Sequence, residues 1–174
     1  MARRALPEQS VLLQLLRYDG RSGRLYWRET DIVPRVPCRK PGTEALSGTT
    51  SKGYRRGRLL GHNLMAHRVI WKMLYGTEPD EIDHINGRKS DNRRRNLRDA
   101  TRTINNRNSA LRPSNKSGRI GVYQKRGRWV ASIRHCGRQI WLGQFSEKAG
   151  AIAARAAAEI EYGYHPNHGR KPRF

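Results

Sequence analysis

Apolar residues from Leu6 to Tyr18 recur at helical spacing and stop at Asp19-Gly20, which predicts a short helix; Gly23 to Arg28 then alternates as a strand. Residues 29 to 53 are rich in Pro, Gly, Ser and Thr and read as loop. Tyr54 to Leu59 alternates as a strand, Gly61-His62-Asn63 marks a turn, and a second strand leads into a helix from His67 to Tyr75, stopped by Gly76. Val69, Ile70, Met73 and Leu74 form the stripe that this helix buries. Glu81 to Ile85 is a short strand, Asn86 to Asn92 a polar loop and Asn96-Leu97-Arg98 a returning strand. Thr101 is placed to cap a helix running to about Asn108.

Residues 110 to 118 have linker composition. Three strand signals follow, Ile120 to Lys125, Arg128 to His135 and Arg138 to Phe145, joined by tight turns at Arg126-Gly127 and Cys136-Gly137. Ser146 is expected to cap a last helix whose buried face is Ala149, Ile152, Ala153, Ala156 and Ile160, with Gly163 closing it. Alternation puts Val122, Trp129, Ala131, Ile133, Ile140 and Leu142 on the sheet face that meets this helix. The opposite face carries Tyr123, Lys125, Arg128, Val130, Ser132, Arg134, Gln139 and Trp141.

The chain has 174 residues, enough for one domain or two small ones, and only 36 % of them are hydrophobic. The apolar run from Val11 to Leu16 is broken by Gln14, falls far short of the ~18 residues a spanning helix needs, and is followed by no small-residue cleavage site. Membrane and secretory classes are therefore not expected. Two cysteines, Cys38 and Cys136, cannot build a four-cysteine zinc site or a disulfide framework, which points to free thiols in a reducing compartment.

Charge narrows the picture more. There are 36 Lys+Arg against 14 Asp+Glu, a formal charge of +22, and such a surplus calls for a polyanion, of which nucleic acid is the commonest. Residues 88 to 139 alone hold sixteen Lys and Arg against two acids, Asp91 and Asp99. Regularly spaced Ile, Val, Trp and Leu in the same stretch predict a folded basic surface rather than a solvated tail.

Asp83-His84-Ile85-Asn86-Gly87, Asp91-Asn92, Asn96-Leu97 and Asn105 together resemble the phage-type HNH endonucleases, homing or free-standing, over roughly residues 54 to 108. An isolated Asp-His pair is ordinarily a surface hydrogen bond; the matching intervals reverse that expectation. The chemistry fits, because phosphodiester hydrolysis needs a base for the attacking water and a cation for the charge that builds on the phosphate. The resemblance implies a ββα-metal (His-Me finger) core in which His84 is the general base and Asp83 and Asn105 hold the metal. Asn96 is its central asparagine, tying the loop that sets His84. The family's commonest form has His at the last of these positions; this chain has Asn105, an H-N-N variant.

Oxygen ligands imply Mg²⁺, with Mn²⁺ able to substitute and no zinc expected. Asn86, Asp91 and Asn92 read as loop formers. His67 is a structural residue or a phosphate contact, His62, His135, His165 and His168 are surface groups, and Arg93, Arg94 and Arg95 form a clamp on the DNA backbone.

Gly121-Val122-Tyr123, Trp129, Ile133-Arg134, Trp141-Leu142-Gly143-Gln144-Phe145 and the alanine helix resemble the AP2 DNA-binding domain. The outward face offers Tyr123, Lys125, Arg128, Ser132, Arg134, Gln139 and Trp141 for major-groove contact.

The expected architecture is α+β: an N-terminal region of short helix and strand (1–53), an HNH nuclease domain (54–109), a linker (110–117), an AP2-like three-stranded antiparallel sheet on one helix (118–168) and a basic tail (169–174). The expected partner is double-stranded DNA, cut to 5′-phosphate and 3′-hydroxyl. One site cuts one strand, so double-strand cleavage requires a dimer or a second encounter. The resemblance implies a phage-encoded enzyme in the bacterial cytoplasm. The alternatives are a non-catalytic, sequence-specific DNA-binding regulator and, behind it, an RNA-binding protein.

Overall fold

The computed structural model describes residues 5–30 and 40–169. Cys38 and the greater part of the basic tail lie outside these. The chain is mixed α and β with antiparallel sheets throughout, and it divides into two compact units at residues 102 and 103. The division falls at the start of the helix that the sequence assigns to the nuclease segment. None falls at residue 53. No helix among the described residues is long and apolar enough to cross a membrane.

In the first unit α1 (Gln9–Leu15) gives way at Leu16 to β1 (Leu16–Asp19), which pairs with β2 (Arg24–Trp27). The helix expected from Leu6 through Tyr18 is therefore shorter at both ends. An apolar run this short satisfies either period, and pairing of Leu16 with Trp27 and Tyr18 with Leu25 decides for strand. Two-residue strands β3 (Glu44–Ala45) and β4 (Gly48–Thr49) add to the edges of β2 and of β5 (Arg55–Leu59), inside a segment that reads as loop. The β5 hairpin turns at Leu60-Gly61, with φ of 48° and 81°, so β6 (His62–Met65) includes His62 and Asn63.

Next comes α2 (Ala66–Tyr75), which buries Ala66, His67, Val69, Ile70 and Met73 against α1, β5 and β6 and ends on left-handed Gly76. Leu12, Leu15, Leu25, Trp27, Leu59, Ile82 and Leu97 share this core. The region before residue 54 is thus built into the nuclease segment's own interior. Strand β7 (Glu81–His84) pairs with β8 (Leu97–Ala100), joined by a loop with a 3-10 turn at Arg94–Asn96.

The second unit opens with α3 (Arg102–Arg107) and holds a sheet of order β11-β10-β9, formed by β9 (Val122–Lys125), β10 (Arg128–His135) and β11 (Arg138–Phe145), with α4 (Lys148–Glu161) packed on it. Both hairpins carry two consecutive positive φ angles, at Arg126-Gly127 and Cys136-Gly137, the signature of type I′ turns. A bulge shifts the register between Ala131 and Ser132, so that Leu142 is the extra residue of β11. Strict alternation breaks there, which lets Leu142 and Phe145 both pack with Trp129, Val122, Ala131 and Ala151.

The face of α4 differs from the expected one. Ala151, Arg155, Ala158 and Glu159 are buried, whereas Ala149 and Ala153 are exposed and Ile160 is 83 % exposed. The N-cap is Glu147, not Ser146. What turns the helix is a buried polar network. Arg155 donates Nε to Glu159 at 2.8 Å, Nη1 to the Ser132 carbonyl oxygen, and lies 3.2 Å from His168 through Nη2. Arg119 holds the other oxygen of Glu159.

His168, expected at the surface, is 7 % exposed, and burial pushes its pKa down to about 4. Neutral His168 is the folded form, so its contribution is complete above the unfolded value of about 6.5 and lost as pH falls toward about 4. Urea unfolding of this unit is expected to weaken across that window, and to weaken less in a His168→Gln variant. An identical pH dependence in both would remove His168 from the account.

Candidate nuclease site

The loop between β7 and β8 is closed by the two carboxamide groups of its asparagines. Asn96, 5 % exposed, accepts from the Asn86 amide through Oδ1 at 2.9 Å and donates through Nδ2 to the Asp91 carbonyl at 2.7 Å. Asn86 in turn donates to the Asp91 carboxylate at 2.8 Å, and Arg93 grips the same carboxylate with Nε and Nη2 at 2.7 and 2.5 Å. The guanidinium fork holds the Asp91 carboxyl down to about 2.

The closed loop delivers one side chain to the end of β7. Asn92 is wholly buried, and its Oδ1 lies 2.9 Å from Nε2 of His84, itself 3 % exposed. The His84 ring is 5.2 Å, edge on, from that of His67 and 5.8 Å from that of Tyr54. Burial lowers the His84 pKa from its ordinary value, while the Asn92 bond and the Asp83 carboxylate raise it. Burial is also the main cause of the raised pKa of Tyr54, with the charges of Asp83 and Glu81 adding to it. Lys89 stands 5.0 Å over the Tyr54 ring.

Asp83 precedes His84 in the strand and meets Arg98, its partner across β8. Arg98 donates Nε and Nη2 to Oδ2 at 3.0 and 2.7 Å. Asp83, 6 % exposed, is a hard oxygen donor of the kind that suits a cation retaining most of its waters. Among the described residues no group of three or more His, Cys, Asp or Glu gathers. Asp83, His84 and Asn96 thus come from one strand–loop–strand of the first unit, and Asn105 lies on α3 in the second.

The loop rests on the N-terminal hairpin. Tyr18 donates its hydroxyl to the Asn92 carbonyl at 3.1 Å and accepts the Arg94 amide at 2.9 Å. Gly23, with φ of 72°, sits so close that a Cβ there would lie 2.6 Å from the Arg93 nitrogen. The three successive arginines separate: Arg93 is pinned to Asp91, Arg94 donates Nε to the Tyr75 hydroxyl at 3.1 Å, and Arg95 is exposed. Asn92, Arg98, Tyr18 and Gly23 were not among the expected site residues. Antiparallel pairing of the two strand signals puts Arg98 opposite Asp83, but nothing in the spacing marks Asn92 above its neighbours.

On the second unit's sheet, Tyr123 and Trp141 are 42 % and 65 % exposed, and Lys125, Arg128, Arg134 and Gln139 are also exposed. Ser132 is not available with them. It is 5 % exposed, on the central strand beneath longer flanking side chains, and its hydroxyl accepts from Gln139 Nε2 at 3.2 Å. Val130 is buried beside it.

Residues 64–107, from β6 through α3, match the family described as HNH endonuclease. The match covers the whole strand–loop–strand that carries His84 and supports an HNH endonuclease. No curated protein and no solved structure matches the chain.

Proposed function

We propose that the chain is a divalent-metal-dependent DNA endonuclease of the homing or free-standing type, with His84 as general base. The observation that carries this is the orientation of the imidazole, 2.9 Å from a wholly buried carboxamide oxygen inside the HNH-matched segment. With the hydrogen on Nε2 and given to the Asn92 oxygen, Nδ1 is the nitrogen that takes a proton from water. The lowered pKa keeps that lone pair available at neutral pH and somewhat below. Asn92 is a positioning residue, acting through His84, and Asn96 keeps the loop closed behind it.

HNH nucleases typically use a divalent metal, which when bound supplies neutralisation of the charge at the phosphate and departing oxygen. Asp83 would hold it through its carboxylate, an oxygen donor that suits Mg²⁺, with Mn²⁺ as substitute. Products are 5′-phosphate and 3′-hydroxyl. The second unit acts as an AP2-like reader of the major groove through Tyr123, Lys125, Arg128, Arg134, Gln139 and Trp141, with Ser132 aiming Gln139. A monomer nicks, and cutting both strands takes a pair of copies or a second encounter. As a phage-encoded enzyme it would do this work in a bacterial cytoplasm.

Supercoiled plasmid with Mg²⁺ tests the proposal: open circles are expected, and a chelator stops their formation. The rate is expected to fall on the acid side only below about pH 6.5. Because the Asn92 bond raises the pKa of His84, Asn92→Ala moves that limb to lower pH while slowing the reaction. Asn92→Asp sets a negative charge beside the ring and moves the limb upward. Limbs that stay in place take Asn92 out of the mechanism. A plasmid bound yet never relaxed makes the chain a DNA-binding regulator instead.

A further inference from the structure

The arginine that fastens the catalytic loop also lines a cleft of about 300 Å³ on the first unit, and His84 is not among the lining residues. Arg21 and Arg24 reach it from the N-terminal hairpin, Arg55 from β5, and Arg88 and Arg93 from the loop itself. Five arginines line one shallow notch, with Asp91 as its acid. The carboxylates beside them serve as struts: Glu44 spans Arg24 and Arg55, and Asp91 holds Arg93. Arg21 and Arg88 are exposed, and the backbone under each is fixed by a side chain, the amide of Arg21 by Asp19 at 3.0 Å and that of Arg88 by Asn86 at 2.8 Å.

Two further features point to an anion. Burial and the neighbouring charge of Arg24 both disfavour the charged form of Arg55, so the cluster is held together against its own repulsion. The close approach of Gly23 to the Asn92–Arg93 peptide locks the two halves of the notch side by side, and the same peptide places Asn92 on His84. The notch and the imidazole therefore share the Asn92–Arg93 peptide.

We propose that this notch binds a backbone phosphate of duplex DNA flanking the bond that His84 addresses, and that the N-terminal hairpin exists to supply half of it. Planar guanidinium forks match phosphate oxygens two at a time, and an approaching phosphodiester relieves the repulsion among them. The inference rests on the DNA-cleaving reading above, and binding measured without catalysis separates the two.

The test is duplex affinity against salt concentration, with chelator present so that no strand is cut, for the full chain and for Arg21→Ala/Arg88→Ala. Neither of these exposed side chains holds the fold, and an unchanged melting temperature checks this. A double variant at Arg56 and Arg58, exposed on β5 and outside the notch, is the control. Losing the notch is expected to weaken binding severalfold at low salt and to reduce the slope of log K against log salt by about 0.9 for each phosphate contact removed. The control is expected to change the slope less. Equal slopes in wild type and notch variant overturn the inference, whether the notch is then idle or takes only free anions. A notch variant with wild-type slope in a protein that still nicks plasmid leaves the nuclease reading standing and this one fallen.

Discussion

Replacing His84 by alanine is expected to lower the plasmid-nicking rate by about 10²- to 10⁴-fold, the usual worth of a positioned general base. Nothing nearby replaces it. His67 stands edge on at 5.2 Å and is 8 % exposed, and Tyr54 has its proton held more tightly by burial and by the charge of Asp83. Tyr54 is thereby a poor proton acceptor for a water placed at Nδ1 of His84. The loss is expected in kcat, with DNA affinity nearly unchanged, because the proposed grip on the duplex lies in arginines elsewhere. Added imidazole is expected to restore part of the rate by entering the space the ring leaves. Nicking at the wild-type rate by His84→Ala that melts at the wild-type temperature would exclude His84 as the base.

The parts of this site that the sequence discloses are those whose chemistry and backbone role coincide. Asn96 shows itself through the family resemblance, which makes it the central asparagine of the loop, and its carboxamide does close that loop on both sides. Asn92 does not, since its neighbours Asn86 and Asp91 have the same turn-forming chemistry and only the closed loop reveals which of the three points inward. The arginine notch was equally hidden. Its halves lie more than sixty residues apart, in segments that read as a hairpin of unclear purpose and as a basic run, and the Gly23 contact that joins them has no local signal.

The second unit shows the reverse limit. Its strands and turns are legible from alternation and from paired turn residues, yet the phase of α4 is not. Alanine is nearly neutral as to which face it turns inward, so counting apolar positions chose the side bearing Ile152 and Ile160. The structure instead turns Arg155 inward, where Ser132, Glu159 and His168 satisfy it. A charged group at an apolar helix's buried stripe is the feature that hydrophobic periodicity is least able to find.

That inversion carries the largest expected stability effect. Arg155→Ala is expected to destabilise the second unit by about 3 kcal/mol, since it takes one of two arginines from a buried carboxylate and removes the donor to the buried Ser132 carbonyl. Glu159 keeps only Arg119 and the 3.9 Å approach of His168, while the Ser132 carbonyl loses its bond. Burial of the guanidinium at 2 % exposure leaves no route for water to take its place without opening the helix from the sheet. Arg155→Lys is expected to recover only part, because one ammonium cannot reach a carboxylate, a carbonyl and an imidazole in three directions. The discriminating variant is Arg155→Leu/Glu159→Leu, which removes the carboxylate together with its partner and is expected to be more stable than Arg155→Leu alone. Hydrogen exchange of the β10 amides reads this unit separately from the first. A double variant no more stable than the single one would mean that the network holds α4 by shape rather than by charge.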